Sequence, residues 1–247
     1  MKISAVLITR NAASDLAQCL ASLDFVDEIV VLDQNSIDET LAICERYGAI
    51  VHQQNEWLGF GKMKNSAVTF CANRWVLSID ADEVVTPELK QAILDLPDEP
   101  PVAAYAVNRL SRFLGQWIRF CGWHPDWVIR LFDRERARFN ERAVHEAVQT
   151  EGDTGRLNGL LLHYTYNSME QYIQKLNHYT TLAAEEAVAA GKRGSIFGAV
   201  VRANAAFFRM FFLKSGFRDG WHGLLLCLCS AFYVLTKYVK IWRAVRS

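Results

Sequence analysis

No Gly-x-Gly-x-x-Gly follows the first apolar run of this 247-residue chain. That absence excludes the phosphate-cradling loop of a Rossmann dehydrogenase. The six cysteines (Cys19, Cys44, Cys71, Cys121, Cys227, Cys229) form no Cys-x-x-Cys and no zinc-like spacing. A zinc module is thereby excluded, and buried free thiols in a reducing compartment are expected. Net charge is zero, with 27 basic and 27 acidic residues, which removes any global electrostatic case for nucleic acid. Internal repeats and low-complexity linkers are also missing. The apolar stretch ahead of Arg10 is too short for a secretory leader, so a cytoplasmic location is expected.

What the chain does have is apolar mass and an uneven distribution of charge. Hydrophobic residues make up 51% and charged residues 22%, enough for a real core and too apolar for disorder. From Lys192 onward the only acid is Asp219 among many arginines and lysines. Such a polarity points toward an anionic surface, a membrane in particular.

Strand and helix signals alternate four times in the first eighty residues. Strands are expected at Ile3 to Thr9, Glu28 to Leu32, Ala49 to His52 and Trp75 to Ile79. Between them, a helix capped by Ser14 carries Leu16, Cys19, Leu20 and Leu23 on one face. Ser36-Ile-Asp-Glu39 is a capping-box pattern for a second helix that stops at Gly48. Gly59-Phe60-Gly61 leads into a third helix with Lys62, Lys64 and Asn65. This is the alternation of a doubly wound, mainly parallel half-sheet. Thr86-Pro87-Glu88 opens a further helix. Ala103 to His163 then reads as short strands and aromatic loops, an antiparallel extension, followed by a long helix from Ser168 to Ala190.

Three strand ends carry polar residues to one edge: Thr9-Arg10-Asn11, Asp33-Gln34-Asn35-Ser36-x-Asp38, and Asp80-x-Asp82 followed by Glu83. The C-terminal edge of such a sheet is where ligands bind. Taken alone, Asp-x-Asp is common and is as readily an acidic turn as a metal ligand pair. Taken as a set, these segments resemble the inverting nucleotide-sugar glycosyltransferases of family 2, with the GT-A fold, over roughly residues 1 to 165. Asp33, Ser36, Asp38 and Thr40 all match that family's strand-Asp-x-x-Ser-x-Asp-x-Thr pattern.

The resemblance implies a UDP-sugar donor, with Asp33 on the base edge and Thr9, Asn11 and the adjacent Asn35 lining the same pocket. It implies Lys62 and Asn65 near the diphosphate, Asp80 on ribose or sugar hydroxyls, and Asp82 as ligand of a Mg²⁺ or Mn²⁺ ion. His163 is a candidate further metal ligand, or equally a satisfied core histidine. The stretch from Arg130-Leu131-Phe132 to His145-Glu146 resembles the lipopolysaccharide-core glucosyltransferase branch. That points to Glu146 as the base that deprotonates the acceptor, with Asp126 as the other candidate, against a plain ion pair between Glu146 and Arg134, Arg136, Arg138 or Arg142. Trp117, Trp123, His124 and Trp127 suit an acceptor platform, or core packing.

Beyond Ser195, Phe197 to Leu213 is apolar and basic, and Gly220 to Thr236 carries no formal charge before Lys237, Lys240, Arg243 and Arg246. These stretches are expected to form helices in a membrane interface, or a hairpin packed on the catalytic domain or on a second subunit. The organisation expected is therefore residues 1–165 as a GT-A catalytic domain (1–100 for the donor, 101–165 for the acceptor) and 166–247 as a membrane-associating helical region. The function expected is transfer of a hexose, glucose first, from a UDP-sugar to a glycolipid acceptor such as the lipopolysaccharide inner core, at the inner membrane. The alternatives are a non-catalytic membrane scaffold of the same fold and a sugar-phosphate nucleotidyltransferase. A homo-oligomer is left open.

Overall fold

The computed structural model describes residues 1–140 and 146–246. Eleven strands and seven α-helices follow in the order β1 (Ile3–Thr9), α1 (Ala13–Ala21), β2 (Glu28–Asp33), α2 (Thr40–Arg46), β3 (Ile50–Gln53), α3 (Phe60–Thr69), β4 (Trp75–Ser78), β5 (Glu83–Val85), α4 (Pro87–Leu94), β6 (Ala104–Phe113), β7 (Gln116–Trp117), β8 (Asp126–Asp133), β9 (Ala137–Phe139), β10 (Val148–Thr150), β11 (Thr154–Tyr166), α5 (Met169–Ala189), α6 (Ile196–Phe208) and α7 (Gly220–Ala244). A π turn at Arg209–Leu213 and a 3-10 turn at Gly216–Asp219 connect α6 to α7.

The main sheet runs β3-β2-β1-β4-β8-β6-β11-β5, with β7 beside β6. Strands β1 to β4 are parallel, and β8 adds antiparallel to β4. The expected parallel half with an antiparallel extension is the architecture observed: a mixed α/β, GT-A-like fold followed by two apolar C-terminal helices.

Alternation along the strands separates the two faces of the parallel half. Ala5, Leu7, Val31 and Leu77 pack with Leu16, Cys19 and Leu20 of α1, with Leu23 just after it, and with Leu89 and Ile93 of α4. Val6, Val30, Leu32 and Val76 pack with Met63 and Ala67 of α3 and with Phe132 and Phe139. Being apolar on both faces is what a covered parallel sheet requires.

The chain divides into two compact units, Met1–Arg109 with Asp126–His163, and Leu110–Pro125 with the chain from Tyr164 onward. The second unit thus begins two residues earlier than the expected boundary and also takes the 110–125 segment. Its core joins Phe113, Ile118 and Cys121 to Tyr172, Leu176, Leu226 and Cys227. Asp219 ties that segment down by accepting from the Arg119 and Phe120 backbone N–H groups at 3.1 and 2.8 Å. All six cysteines are buried free thiols, as expected, and burial pushes the thiols of Cys44 and Cys71 up to about 11.

Two helix starts differ from expectation. Ser14 does not cap α1, since its hydroxyl donates to Asp15. The capping box at Ser36 does not form either: α2 begins at Thr40, because Ser36 and Asp38 are engaged in loop contacts described below. Thr86 caps α4 through the Leu89 N–H, with Pro87 at its first position. Gly48 follows α2 at φ +68°, the left-handed geometry that a helix stop of this kind uses.

Candidate active site

The Asp33-x-x-Ser36-x-Asp38-x-Thr40 segment is a hydrogen-bonded lattice that laces the end of β2 to the loop after β1. Asp33, fully buried, accepts from the Thr9 hydroxyl at 2.8 Å and from the hydroxyl and N–H of Ser36 at 2.6 and 2.8 Å. The Ser36 hydroxyl also accepts from the Asn11 N–H at 2.8 Å, and the Asn11 side-chain oxygen accepts from the Ile37 N–H at 2.9 Å. Asp38 accepts from the Thr40 hydroxyl and the Ala13 N–H, and Thr40 accepts from the Ala12 N–H. The Thr40 hydroxyl bond, foremost, lowers the Asp38 pKa. Asn11 and Asn35 both sit at φ +50°, a left-handed geometry that asparagine tolerates better than other side chains do. The residues expected to line a donor pocket are therefore brought together, with Asp33 inside the lattice and Asn35 exposed.

The second group is a chain of alternating charges. Lys64 Nζ lies 2.8 Å from Asp80 Oδ1 and 3.1 Å from Glu146 Oε1. Arg130 Nη2 lies 2.6 Å from Asp80 Oδ2 and 2.5 Å from Glu83 Oε1. Arg109 continues to Glu83 at 3.4 Å and to Asp126 at 2.8 Å. The order is thus Glu146, Lys64, Asp80, Arg130, Glu83, Arg109, Asp126, all within the first unit. Glu83 is fully buried and accepts from the Asp80 N–H at 3.1 Å, so it closes the turn after β4. Burial raises the pKa of Asp80, but Arg130 and Lys64 outweigh it and hold the carboxyl well below the usual carboxylate range. Burial lowers Arg130, and Asp80 and Glu83 more than reverse that. Asp80 is accordingly ionised, with both oxygens engaged by cations.

Asp82 and His163 meet beside this chain, His163 Nε2 standing 3.6 Å from Asp82 Oδ2. The contact follows from register, since His163 on β11 pairs with Glu83 on β5, next to Asp82. One carboxylate and one imidazole, both partly exposed, suit a hard divalent ion that draws its other ligands from phosphate oxygens. Among the described residues no group of three or more His, Cys, Asp or Glu converges as a metal cage. The residues present fit an ion shared with a ligand, and do not fit a closed structural site.

The structure separates the two expected diphosphate contacts from the residue beside them. Lys62 is exposed on α3, whereas Lys64 is the lysine that turns inward to the carboxylates. Both ends of the Asn65 amide are bonded to Phe139, accepting from its N–H and donating to its C=O at 2.9 Å each. Asn65 braces β9. Arg109 Nε and Nη2 both reach Asp126 Oδ2, at 2.9 and 2.8 Å, and Glu146 is held, among the described residues, by Lys64. His145 and Arg142 lie outside the described residues. Trp123 packs in the core of the second unit, and Trp117 stands edge-on to Tyr164. Trp127 is exposed, with the Arg156 guanidinium 4.7 Å over its ring. Sequence reasoning named Lys64, Glu83 and Arg130 without giving them a site role, and passed over Arg109. Lys64 had an available signal: it falls on the apolar stripe of α3 with Phe60, Met63 and Ala67, where a charge needs a buried partner.

Comparison with known proteins places the chain among glycosyltransferases. A glycosyltransferase of Rickettsia felis is 31% identical over 97% of this chain and 89% of its own length. The lipopolysaccharide core biosynthesis glycosyltransferase LpsC of Rhizobium meliloti is 29% identical over 98% of this chain and 93% of its own. Among solved structures, TarS of S. aureus covers 99% of this chain and 55% of its own length, with a TM-score of 0.50 at 17% identity, a likeness of fold. The sequence profile of glycosyl transferase family 2 matches residues 4–152, which hold the lattice and the charge chain alike, and the chain is a glycosyltransferase belonging to that family.

Proposed function

We propose that the protein is an inverting hexosyltransferase that moves glucose from UDP-glucose to a glycolipid acceptor of the lipopolysaccharide-core class at the inner face of a membrane. The observation that carries the reading is the buried Lys64 between Asp80 and Glu146, which supports a donor-side role for Asp80 and the role of base for Glu146. The relative named for lipopolysaccharide core biosynthesis supports the acceptor class.

In this reading the strand-end lattice shapes the nucleoside pocket, with Asn35 and the backbone at Thr9 and Asn11 lining it around Asp33. Asp80 orients ribose or sugar hydroxyls through lone pairs that its cations leave free. Asp82 and His163 hold a Mg²⁺ or Mn²⁺ ion, whose chemistry is to offset charge on the departing diphosphate. Glu146 accepts the proton of the acceptor hydroxyl as that oxygen forms its bond to the anomeric carbon. The bond from that carbon to the diphosphate breaks on the opposite face, its electron pair leaves with UDP, and configuration inverts. Asp126, whose Oδ2 takes both Arg109 Nε and Nη2, is the poorer base, because accepting a proton would weaken two charge-assisted contacts.

Calorimetric titration with UDP, with and without Mn²⁺, tests the donor half. Metal-dependent binding that disappears in Asp82→Ala is expected, and metal-independent binding of equal strength in that variant would refute the assignment. Glu146→Gln should bind UDP as the wild type does and lose transfer; normal turnover in it would remove Glu146 as base.

A further inference from the structure

The second unit presents an inside-out helical pair. The inward residues of α6 are small (Ala199, Ala203, Ala206), whereas Phe197, Val200, Val201, Phe208 and Phe212 face out at helical spacing. Along α7, Trp221, Leu225, Leu228 and Phe232 are exposed at intervals of four, three and four residues, while Gly223, Leu226 and Cys227 face in. Phe197 and Trp221 are 80% and 83% exposed. Only 17% and 22% of the two apolar windows, Ile196–Leu213 and Gly216–Ala244, are buried inside the protein, which excludes a pair of soluble core helices. Stripes of this extent mark a partner surface.

Charge identifies the partner. From Lys192 onward there are ten basic residues and one acid, giving +9, and the remainder of the chain therefore carries −9. The one acid, Asp219, is committed internally to the N–H groups of Arg119 and Phe120. Exposed Arg209, Lys214 and Arg218 surround the turn between the helices, and exposed Arg243 and Arg246 close the far end of α7. A second copy would bring two +9 surfaces together, an arrangement that like-charge juxtaposition opposes. Anionic headgroups answer the charge, and acyl chains answer the stripes.

Arg202 and Arg209 lie within the apolar window of α6. The Arg202 guanidinium lies 4.9 Å over the Tyr238 ring while the residue stays exposed. Crossing a bilayer would draw both guanidinium groups through hydrocarbon, whereas a helix lying in the plane lets them reach headgroups. We infer that α6 and α7 form a monotopic hairpin that lies in the interface of an anionic bilayer. In it the two apolar stripes are sunk toward the acyl chains, and Arg209, Lys214 and Arg218 rest on lipid phosphates. This assignment rests on the reading that the acceptor is carried by a membrane, and it specifies the surface that binds there.

The experiment is co-sedimentation of the full chain with sucrose-loaded vesicles of phosphatidylglycerol and phosphatidylcholine, or phosphatidylcholine alone, at low and moderate salt. Binding to the anionic vesicles, weakened by salt, is expected. Replacing Arg209, Lys214 and Arg218 with Gln should lower partitioning by about a hundredfold, at about fivefold for each charge removed near the surface. Trp221→Glu with Phe208→Glu should lower it on the same vesicles, while the UDP titration remains as in wild type and certifies the fold. Equal binding to neutral and anionic vesicles would overturn the proposal, as would resistance of the bound protein to alkaline extraction, which marks a spanning helix. A dimer that Trp221→Glu converts to monomer, with no vesicle binding by the wild type, would assign the stripes to a second copy instead. The vesicle readout needs no nucleotide, so its failure and failure of the donor assignment are separately visible.

Discussion

At the residue scale, Lys64 carries the clearest consequence. It is buried between two carboxylates, and among the described residues Arg130 is the other cation in ion-pair contact with Asp80. Replacing it with Met leaves Glu146 without its cation and strips Asp80 of half its compensation, which for a buried pair costs about 3 kcal/mol. Denaturant midpoints should show that loss, and the double variant with Glu146→Gln should recover part of it, because one uncompensated charge is then gone. Identical midpoints for the single and double variants would mean that the two residues are energetically independent.

A second ionic contact lies far along β8 from these residues. Burial raises the Asp133 pKa, but the bond from Arg74 and the Glu135 N–H lower it further, for a net depression. A folded-state value below the unfolded one contributes stability that is fully present above the unfolded pKa, near 4, and is lost as pH falls through the folded value. The stability difference between wild type and Asp133→Asn should therefore be constant near neutrality and shrink on acidification below about pH 4.

At the element scale, the strands were the readable part. Ile3–Thr9 appears where its unbroken apolar run placed it, and Trp75 begins β4 as expected, because burial on both faces leaves an uninterrupted hydrophobic signal. Helix starts were harder to read. Ser14 and Ser36 have the chemistry of caps, but a side-chain oxygen has several backbone partners within reach, and at Ser36 tertiary contacts with Asp33 and Asn11 win. The carboxylates of the site were visible as strand-end residues. Their cations were hidden, since Arg130, Arg109 and Lys64 reach the site only through sheet order and helix phase.

Helix α3 illustrates the phase problem. Lys62 and Lys64 are two positions apart and so point to opposite sides, and basic character alone did not say which one faces the carboxylates. Asn65 belongs to the same helix and has a structural task. Asn65→Ala removes two bonds to the Phe139 backbone, a loss of about 2 kcal/mol at roughly 1 kcal/mol each, and UDP affinity should change little. Unchanged stability with a large drop in UDP affinity would return Asn65 to the diphosphate.

At the scale of the whole molecule, the candidate site and the exposed apolar stripes fall in different units. Every member of the charge chain, with Asp82 and His163, lies in the first unit, while the exposed stripes and the +9 segment lie in the second. The family profile ends at residue 152, before α5, whereas the Rickettsia felis and Rhizobium meliloti relatives match over 97% and 98% of this chain, so the helical segment is shared with them. A division of this kind makes a kinetic prediction. With an acceptor embedded in anionic vesicles, Trp221→Glu with Phe208→Glu should raise the apparent acceptor KM by about tenfold or more, because the enzyme is no longer concentrated on the surface that carries it. The KM for the sugar nucleotide should stay as it is. With the same acceptor dispersed in neutral detergent, the variant and wild type should converge, since no common surface remains to concentrate them. A variant equally impaired in detergent would show that the stripes support the catalytic frame itself, and convergence would show that the second unit acts on where the reaction happens and leaves its chemistry alone.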